Sequence, residues 1–251
     1  MKEYEKAAHK FLKKYKNKKS YLGAVLCGSY VMGNETKYSD VDLHIIMDDT
    51  FDHRERGNKV IDGFIIDYFI NPVKRFEKYV EADRNLRVKY VSHMFKTGKI
   101  IDDTDKKVYH LKKELEKEFK KKFPPLKKEN MEGYKYFMMD SYKNLKEKAK
   151  EPDFLFVYYH YLNYIRESYL KYLRVEVGAI HNAASYIYDK KKREKYLVED
   201  IKDKKFKTLF KKCLKQEDSN KMLEKIKNLR DHVVKEMGGI NMESFHMKYE
   251  L

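Results

Sequence analysis

The sequence has few of the residues that cross-link, break or anchor a chain. It contains no tryptophan, two cysteines and four prolines in 251 residues. Two cysteines, Cys27 and Cys213, cannot build a disulfide framework or a four-ligand zinc site. No stretch of about 18 apolar residues is present, and residues 1–6 have no apolar signal core. These absences predict a cytoplasmic protein without a membrane partner.

Positive charge, by contrast, is abundant. The net charge is +16, while 42% of the residues are hydrophobic, which is enough to bury a core in one large domain or two small ones. Such a charge attracts anionic partners such as ATP or RNA. However, the lysines are spread along the whole chain, as at Lys120–Lys122 and Lys190–Lys192, which is typical of solvated helix faces. The charge alone therefore does not predict nucleic-acid binding.

A strand–turn–helix–strand pattern organises the first part of the chain. The apolar run Ala24–Cys27 ends at Gly28 and Ser29, and a second apolar run follows Asp40 and Asp42. Side chains two residues apart in a strand share a face, so the two aspartates are predicted to project together. They repel unless a cation lies between them, and Mg²⁺ prefers such oxygen ligands together with phosphate. Because backbone N–H groups and a hydroxyl at the turn suit a phosphate, the pattern indicates nucleoside triphosphate chemistry.

A third acid interrupts an apolar strand further along the chain. Asp62 and Gly63 separate two apolar arms and predict a tight hairpin turn, which makes Asp62 a turn residue. Asp67 lies inside the second arm, Phe64–Ile70, where a charge needs a partner, a metal or an exposed strand edge. Asp48–Asp49 close the preceding strand at the end opposite the acid pair, so we expect them to be solvated.

The pattern resembles the signature of the polymerase-β-type nucleotidyltransferase superfamily. It is most similar to the branch of minimal and antibiotic nucleotidyltransferases, of aminoglycoside or lincosamide type. The residues that carry the resemblance are Gly28, Ser29, Gly33, Ser39, Asp40, Asp42 and Leu43. The resemblance implies transfer of AMP from ATP, or of another nucleotide, with release of pyrophosphate. It implies that two Mg²⁺ ions are held by Asp40, Asp42 and Asp67, and that the nucleotide is bound by Gly28, Ser29 and Ser39.

We expect an α+β fold with two domains. Residues 1–105 are predicted to form the nucleotidyltransferase catalytic domain, a small mixed sheet with flanking helices. Residues 106–251 show a helical period throughout and are predicted to form an all-helical bundle that supplies the acceptor site. The aromatic-rich stretch 154–172 is expected at its centre. The predicted bundle helices are 106–122, 127–149, 153–174, 176–190, 192–213 and 218–237.

Basic residues near the end of the catalytic region have two interpretations. The period predicts a helix over residues 84–97, which includes Arg84, Arg87 and Lys89. The resemblance makes these three candidate contacts for the triphosphate. An exposed basic helix face explains them equally well.

The general base is not determined by any motif. Related antibiotic-modifying enzymes take it from the helical region, which makes Glu167 and Glu176 candidates, while Asp67 would serve if one metal is used. Arg174 and His181 fit the loose Arg–His spacing of helical HEPN-type ribonucleases. Two residues with a flexible gap also occur often by chance.

Three functions fit the sequence. The first is transfer to a hydroxyl of a small molecule, such as an aminoglycoside-like antibiotic. The second is transfer to tRNA or protein, as in toxin–antitoxin systems, with the positive charge favouring tRNA. The third is a non-catalytic nucleotide-binding module, against which the three retained acids argue. A homodimer that shares a cleft is compatible with each of them.

Overall fold

A five-stranded mixed sheet forms the centre of the first part of the chain. The structure, a computed structural model, describes residues 1–178 and 184–247. The strands are β1 Tyr21–Cys27, β2 Val41–Met47, β3 Glu55–Ile61, β4 Phe64–Pro72 and β5 Lys99–Asp103. Their order in the sheet is β3-β4-β2-β1-β5. Strands β2 and β4 are parallel and the other neighbours are antiparallel, so the predicted mixed sheet is confirmed.

Helices cover both faces of this sheet. They are α1 Glu3–Lys16, α2 Gly28–Met32, α3 Arg75–Leu86, α4 Tyr90–Thr97 and α5 Lys107–Lys120. On one face, Leu43 and Ile45 pack with the apolar stripe of α1. On the other face, Val25 and Ile46 share a core with residues of α3, α4 and α5. Because β1 and β2 are buried on both faces, their sequences are almost continuously apolar.

The β3–β4 hairpin has the predicted turn. Asp62 and Gly63 both have positive φ, 50° and 83°, as a tight two-residue turn requires. The Asp62 carboxylate also accepts a 2.7 Å hydrogen bond from Lys10 Nζ.

The helix predicted over residues 84–97 begins later than expected, because residues 84–86 close α3 and α4 spans Tyr90–Thr97. Helix α3 ends where Arg87 adopts a left-handed conformation with φ of 54°. Helix α4 begins as a separate helix at Tyr90. In its first turn, the Val91 backbone N–H donates a 2.8 Å hydrogen bond to Asp83 Oδ2. A side chain from the preceding helix therefore satisfies an amide that a continuous helix would have bonded internally.

The chain divides into two compact units, Met1–Lys121 and Lys122–Leu251. The division lies one helix later than the expected boundary after residue 105. Helix α5 belongs to the first unit because Val108, Leu111 and Leu115 lie in the same core as Val25 and Phe95. Its helical period is visible in the sequence, but the partner of its apolar face is not.

Every regular element of the second unit within the described residues is helical. A short 3₁₀ turn, Lys148–Lys150, precedes α7. The helices are α6 Lys128–Glu147, α7 Phe154–Leu173, α8 Ser185–Tyr188, α9 Lys190–Lys195, α10 Lys204–Cys213 and α11 Ser219–Glu236. The helix predicted over 192–213 was too long, while the one predicted over 176–190 includes residues 179–183, which lie outside the described residues. Asp189 and Asp203 cap shorter helices by accepting hydrogen bonds from the backbone N–H groups of Lys192 and Phe206.

Helix α7 lies at the centre of this unit, as predicted. Tyr158, Tyr161 and Tyr169 are buried, and each hydroxyl has a protein partner. No helix in the described ranges is both long and apolar enough to cross a lipid bilayer.

One carboxylate ties three helices of the second unit together. Asp203 Oδ1 caps α10, while Asp203 Oδ2 accepts a 2.6 Å hydrogen bond from Tyr169 and lies 2.8 Å from His232 Nε2. We expect Asp203→Ala to lower the free energy of unfolding by about 3 kcal/mol, because a cap is lost and two buried polar groups lose their partner.

Asp218→Ala is the matched control, since Asp218 caps α11 through a 3.0 Å bond from the Lys221 N–H at the surface. It should cost about 1 kcal/mol. Urea denaturation followed by circular dichroism measures both variants. Equal losses would show that Asp203 acts only as a cap.

Candidate active site

Two aspartates face each other across neighbouring strands. The parallel register of β2 and β4 pairs Asp42 with Asp67, and strands in a sheet lie about 4.8 Å apart. Asp40 directly precedes β2, two residues before Asp42, so its side chain is placed on the same side. The same cross-strand register continues to Cys27 on β1 and Asn58 on β3. We call Asp40, Asp42 and Asp67 the acid row.

The electrostatics show that the three carboxylates interact. Burial, together with the charges of Asp40 and Asp67, raises the pKa of Asp42 to about 6. The positive charge of Arg56 opposes this shift. Like charges this close hold a proton or a cation more tightly than an isolated carboxylate does. The acid row therefore carries negative charge that the protein compensates only in part.

Arg56 is the residue at this site that the sequence did not reveal. Its Nη2 donates a 3.2 Å hydrogen bond to Asp67 Oδ2, and its guanidinium lies over the Phe69 ring at 4.6 Å. Arg56 lies two residues before Asn58, the partner of Asp67, so alternation along β3 places it on the acid-bearing face. The position of Arg56 beside Asp67 can be predicted only when the register of the β3–β4 hairpin is known.

Gly28 allows the acid row to lie against the turn that follows β1. Its φ is +73°, and a Cβ placed there would lie 1.9 Å from Asp42 Oδ2. Only a residue without a side chain lets this carboxylate approach the backbone. Ser29 follows in the first turn of α2, and the left-handed Gly33 ends that helix. The turn is therefore shaped around the Asp42 carboxylate.

Ser39 is engaged in the loop before the acid row. Its hydroxyl oxygen accepts a 2.9 Å hydrogen bond from the Thr36 N–H and closes a turn from Thr36 to Ser39. In this structure Ser39 thus positions the chain that leads into Asp40. Its contact with a nucleotide remains a prediction.

The donor set of the acid row fits a hard divalent cation. Mg²⁺ binds oxygen ligands, and the row offers only carboxylates. Cys27 pairs with Asp42 across the sheet but is no ligand, because burial raises the pKa of its thiol and Sγ donates to the Met94 carbonyl at 3.3 Å. Within residues 1–178 and 184–247, no group of three His, Cys, Asp or Glu side chains is arranged so that it could hold a metal ion. The cation beside Asp67 in this arrangement is Arg56.

The sequence matches the nucleotidyltransferase domain family over residues 8–176, more than half of the chain. The chain belongs to this family. The structure is similar to the crystal structure of a nucleotidyltransferase-like protein from Exiguobacterium sibiricum, with a TM-score of 0.51 and 13% identity. The match covers 93% of this chain and 75% of that one, and at this identity it shows the fold. No curated protein matches the sequence. The superfamily inferred from the Gly-Ser and Ser-Asp-x-Asp motifs is thus confirmed, and the chain is a nucleotidyltransferase.

The basic residues proposed as triphosphate contacts have structural partners in this nucleotidyltransferase. Arg84 pairs with Glu118 of α5. Lys89 Nζ donates a 2.6 Å hydrogen bond to the Phe119 carbonyl near the end of the same helix. Arg87 forms the left-handed end of α3. These contacts give the three residues structural roles. Arg84 is exposed, as the alternative of a basic helix face expected, whereas Arg87 is buried.

The strand-end acids also have local roles. Asp48 Oδ1 accepts hydrogen bonds from the backbone and side chain of Thr50, at 2.9 and 2.5 Å. Asp49 Oδ1 accepts a 2.8 Å bond from the Lys74 N–H. Both residues therefore stabilise the segments around the end of β2.

The candidate residues of the second unit take part in its internal network. Glu167 Oε1 accepts hydrogen bonds from Asn163 at 3.0 Å and from the buried Arg166 at 3.3 Å. Arg174 ends α7 with φ of 61°, and its Nε donates a 2.5 Å bond to the Phe123 carbonyl. Glu176 lies in the segment after α7, and His181 lies outside the described residues. The roles of Glu167 and Glu176 as bases remain predictions.

The close approach of the Asp42 carboxylate to Gly28 predicts the effect of a side chain at this position on stability. Gly28→Ala should destabilise the protein by about 1–3 kcal/mol more than Gly33→Ala, because its methyl group collides with Asp42 Oδ2. The two glycines have similar positive φ, and a Cβ at Gly33 meets no described atom within 4 Å. Chemical denaturation measures the difference. Equal destabilisation would mean that Asp42 moves away at no cost.

The raised pKa of Asp42 predicts a pH-dependent cost. In the unfolded chain the pKa of Asp42 has its ordinary value of 3.8. The folded protein therefore binds a proton at Asp42 more tightly than the unfolded chain does between pH 3.8 and about 6. The ionised carboxylate therefore lowers the free energy of unfolding by its full amount above pH 6, and by less as the pH falls. Asp42→Asn removes it and should raise the melting temperature in EDTA by roughly 2–6 °C at pH 7.5.

At pH 4.5 the increase should be smaller. Thermal unfolding of wild type and variant at both pH values measures the difference. A rise that is the same at pH 4.5 and 7.5 would contradict an elevated pKa for Asp42.

Proposed function

We propose that this nucleotidyltransferase transfers AMP from ATP to a hydroxyl group of a small-molecule acceptor and releases pyrophosphate, with Mg²⁺ as cofactor. One observation carries the proposal: Asp42 and Asp67 face each other in register, with the Asp42 carboxylate against the Gly28 turn. This is the juxtaposition that a reaction at a phosphate next to bound metal requires. The raised pKa of Asp42 supports it, because the row attracts positive charge.

Each residue of the site has a proposed role. Asp40, Asp42 and Asp67 would hold two Mg²⁺ ions, whose charge would stabilise the attacking and leaving oxygens of an in-line displacement. The backbone N–H groups at Gly28 and Ser29, with the Ser29 hydroxyl, bind the β- and γ-phosphates. Binding there presents the α-phosphorus to the acid row.

The reaction exchanges one P–O bond for another. The acceptor oxygen forms a bond to the α-phosphorus while the bond between this phosphorus and the αβ-bridging oxygen breaks. Pyrophosphate leaves with the electron pair of that bond, and the hydroxyl proton passes to a carboxylate. Glu167 and Glu176 are candidates for this base while Asp67 holds a metal ion, and Asp67, which lies in the acid row, would serve if only one metal is used. Its Oδ2 is oriented by Arg56.

Transfer to tRNA is the second candidate. The net charge of +16 favours an anionic macromolecule. The sheet and the acid row would act on the donor in the same way with either acceptor. A protein acceptor and a binding module without catalysis are the further alternatives, and the partly compensated acid row argues against the latter.

Label transfer from ATP tests the function. The protein is incubated with Mg²⁺, ATP labelled at the α-phosphate, and separately with aminoglycosides, lincosamides, total tRNA and protein extract. We expect the label to appear on a small molecule. Asp42→Asn should lower the rate of label transfer by at least about 100-fold, because a metal ligand is removed.

Asp48→Asn is the matched control, since Asp48 lies just after the far end of the same strand. It should retain transfer. Label on tRNA alone would select the second candidate, and full activity of Asp42→Asn would refute the proposed role of the acid row. ATP binding without transfer to any acceptor would indicate a binding module.

A further inference from the structure

A cavity of about 410 Å³ adjoins the acid row inside the first unit. Strands β2, β3 and β4 form one side of it, and helices α3 and α4 form the other. Its lining includes the rings of His44, Phe69, Phe76, Tyr79 and Tyr90, together with Met94. His44 and Phe69 each lie two residues beyond an aspartate of the acid row, so they share its sheet face. We call this space the sheet cavity.

His44 is the buried polar group of the sheet cavity that has no partner. The residue is 5% exposed, and neither ring nitrogen has a hydrogen-bond partner among the residues that the structure describes. Its ring stacks on Phe69 with centroids 4.8 Å apart and planes at 10°. An apolar side chain would fill this position without leaving two nitrogens unsatisfied. A polar group in such a place indicates a ligand that completes its bonding.

The lining selects the chemistry of that ligand. The neutral imidazole has one N–H donor and one nitrogen acceptor, and either nitrogen can pair with a single complementary group on the edge of a heteroaromatic base. The surrounding aromatic rings provide stacking surfaces. Arg54 and Arg56 balance the charges of Glu55 and Asp83 in the lining, so the sheet cavity lacks the acidic surface that a polycationic acceptor requires. These features favour a neutral, planar ligand.

The order of groups along the sheet matches the order of groups in a nucleotide. Strand β1 pairs Cys27 with Asp42 and Val25 with His44, so the Gly28 turn and His44 lie on opposite sides of Asp42. His44 follows Asp42 by about 7 Å along the strand, a distance that a ribose can span. Along the sheet, the Gly28 turn comes first, the acid row second and the sheet cavity third. In a nucleotide the β- and γ-phosphates, the α-phosphorus and the base follow each other in the same order.

We infer that the sheet cavity is the base-binding subsite of the nucleoside triphosphate, with the base held by His44 and by stacking on the aromatic rings of the lining. This inference rests on the proposed function, because it takes the acid row as the place of the α-phosphorus. It assigns to the first unit both ends of the donor nucleotide. The acceptor hydroxyl then approaches the acid row from outside this cavity.

Calorimetric titration with two probes tests the assignment. The probes are α,β-methylene-ATP, which cannot release pyrophosphate, and inorganic tripolyphosphate, which has no base, each with Mg²⁺. His44→Phe keeps a stacking ring but removes both nitrogens. It should bind the nucleotide about tenfold more weakly and tripolyphosphate as well as wild type does.

His110→Phe, an exposed histidine on α5, is the matched control and should leave both affinities unchanged. Thermal unfolding should show His44→Phe to be no less stable than wild type, since no bond within the described residues is lost. If this variant does not fold, ¹⁵N NMR of the wild-type imidazole replaces it. The nucleotide should shift the His44 ring nitrogens, and tripolyphosphate should not.

The outcomes separate the two proposals. Wild-type protein that binds neither probe would refute the proposed function. Wild-type protein that binds both, together with unchanged nucleotide affinity in His44→Phe, would overturn the base subsite alone. That second result would mean that water or the acceptor occupies the sheet cavity.

Discussion

Mutual repulsion among three carboxylates is the constraint on which the first unit of this nucleotidyltransferase depends. Burial, together with the charges of Asp40 and Asp67, raises the pKa of Asp42 to about 6. Like charges in one place destabilise a fold unless something compensates them. Here Arg56 offsets part of the charge, and the remainder is left for a ligand. A site that is costly in the free protein and favourable when loaded is typical of function rather than of packing.

The fold holds this row in place by burying both faces of the sheet. The parallel pairing of β2 and β4 sets Asp42 opposite Asp67, and β1 brings Gly28 against the Asp42 carboxylate. Two separate apolar cores anchor these strands, one with α1 and one with α3, α4 and α5. Because both cores are close-packed, the strands resist the displacement that would let the acids move apart.

The parts of the site that depend on local sequence were predictable. The Asp-Gly turn, the strand that begins after Asp40 and the short helix after Gly28 all follow from neighbouring residues, and the structure contains them. Asp67 is predictable as a site residue because a charge inside an apolar strand needs a partner or a metal, and the family resemblance supports it. Its pairing with Asp42 is a long-range contact that no local pattern encodes.

Features that depend on register or tertiary contacts were not predictable in this way. Arg56 and His44 gain their positions only from the alignment of three strands, and each looks like an ordinary strand residue in the sequence. The break at Arg87 depends on the Asp83 carboxylate reaching the Val91 amide. The compact division follows α5 rather than residue 105. The sequence does not show this, because the apolar face of α5 does not reveal what it packs against.

The central claim is that the acid row binds divalent metal together with a nucleotide. Electron paramagnetic resonance with Mn²⁺ in place of Mg²⁺, in the presence of α,β-methylene-ATP, counts the bound ions most directly. We expect two magnetically coupled Mn²⁺ ions in the wild-type protein and at least one fewer in Asp67→Asn. An equal number of bound ions in both proteins would contradict the central claim.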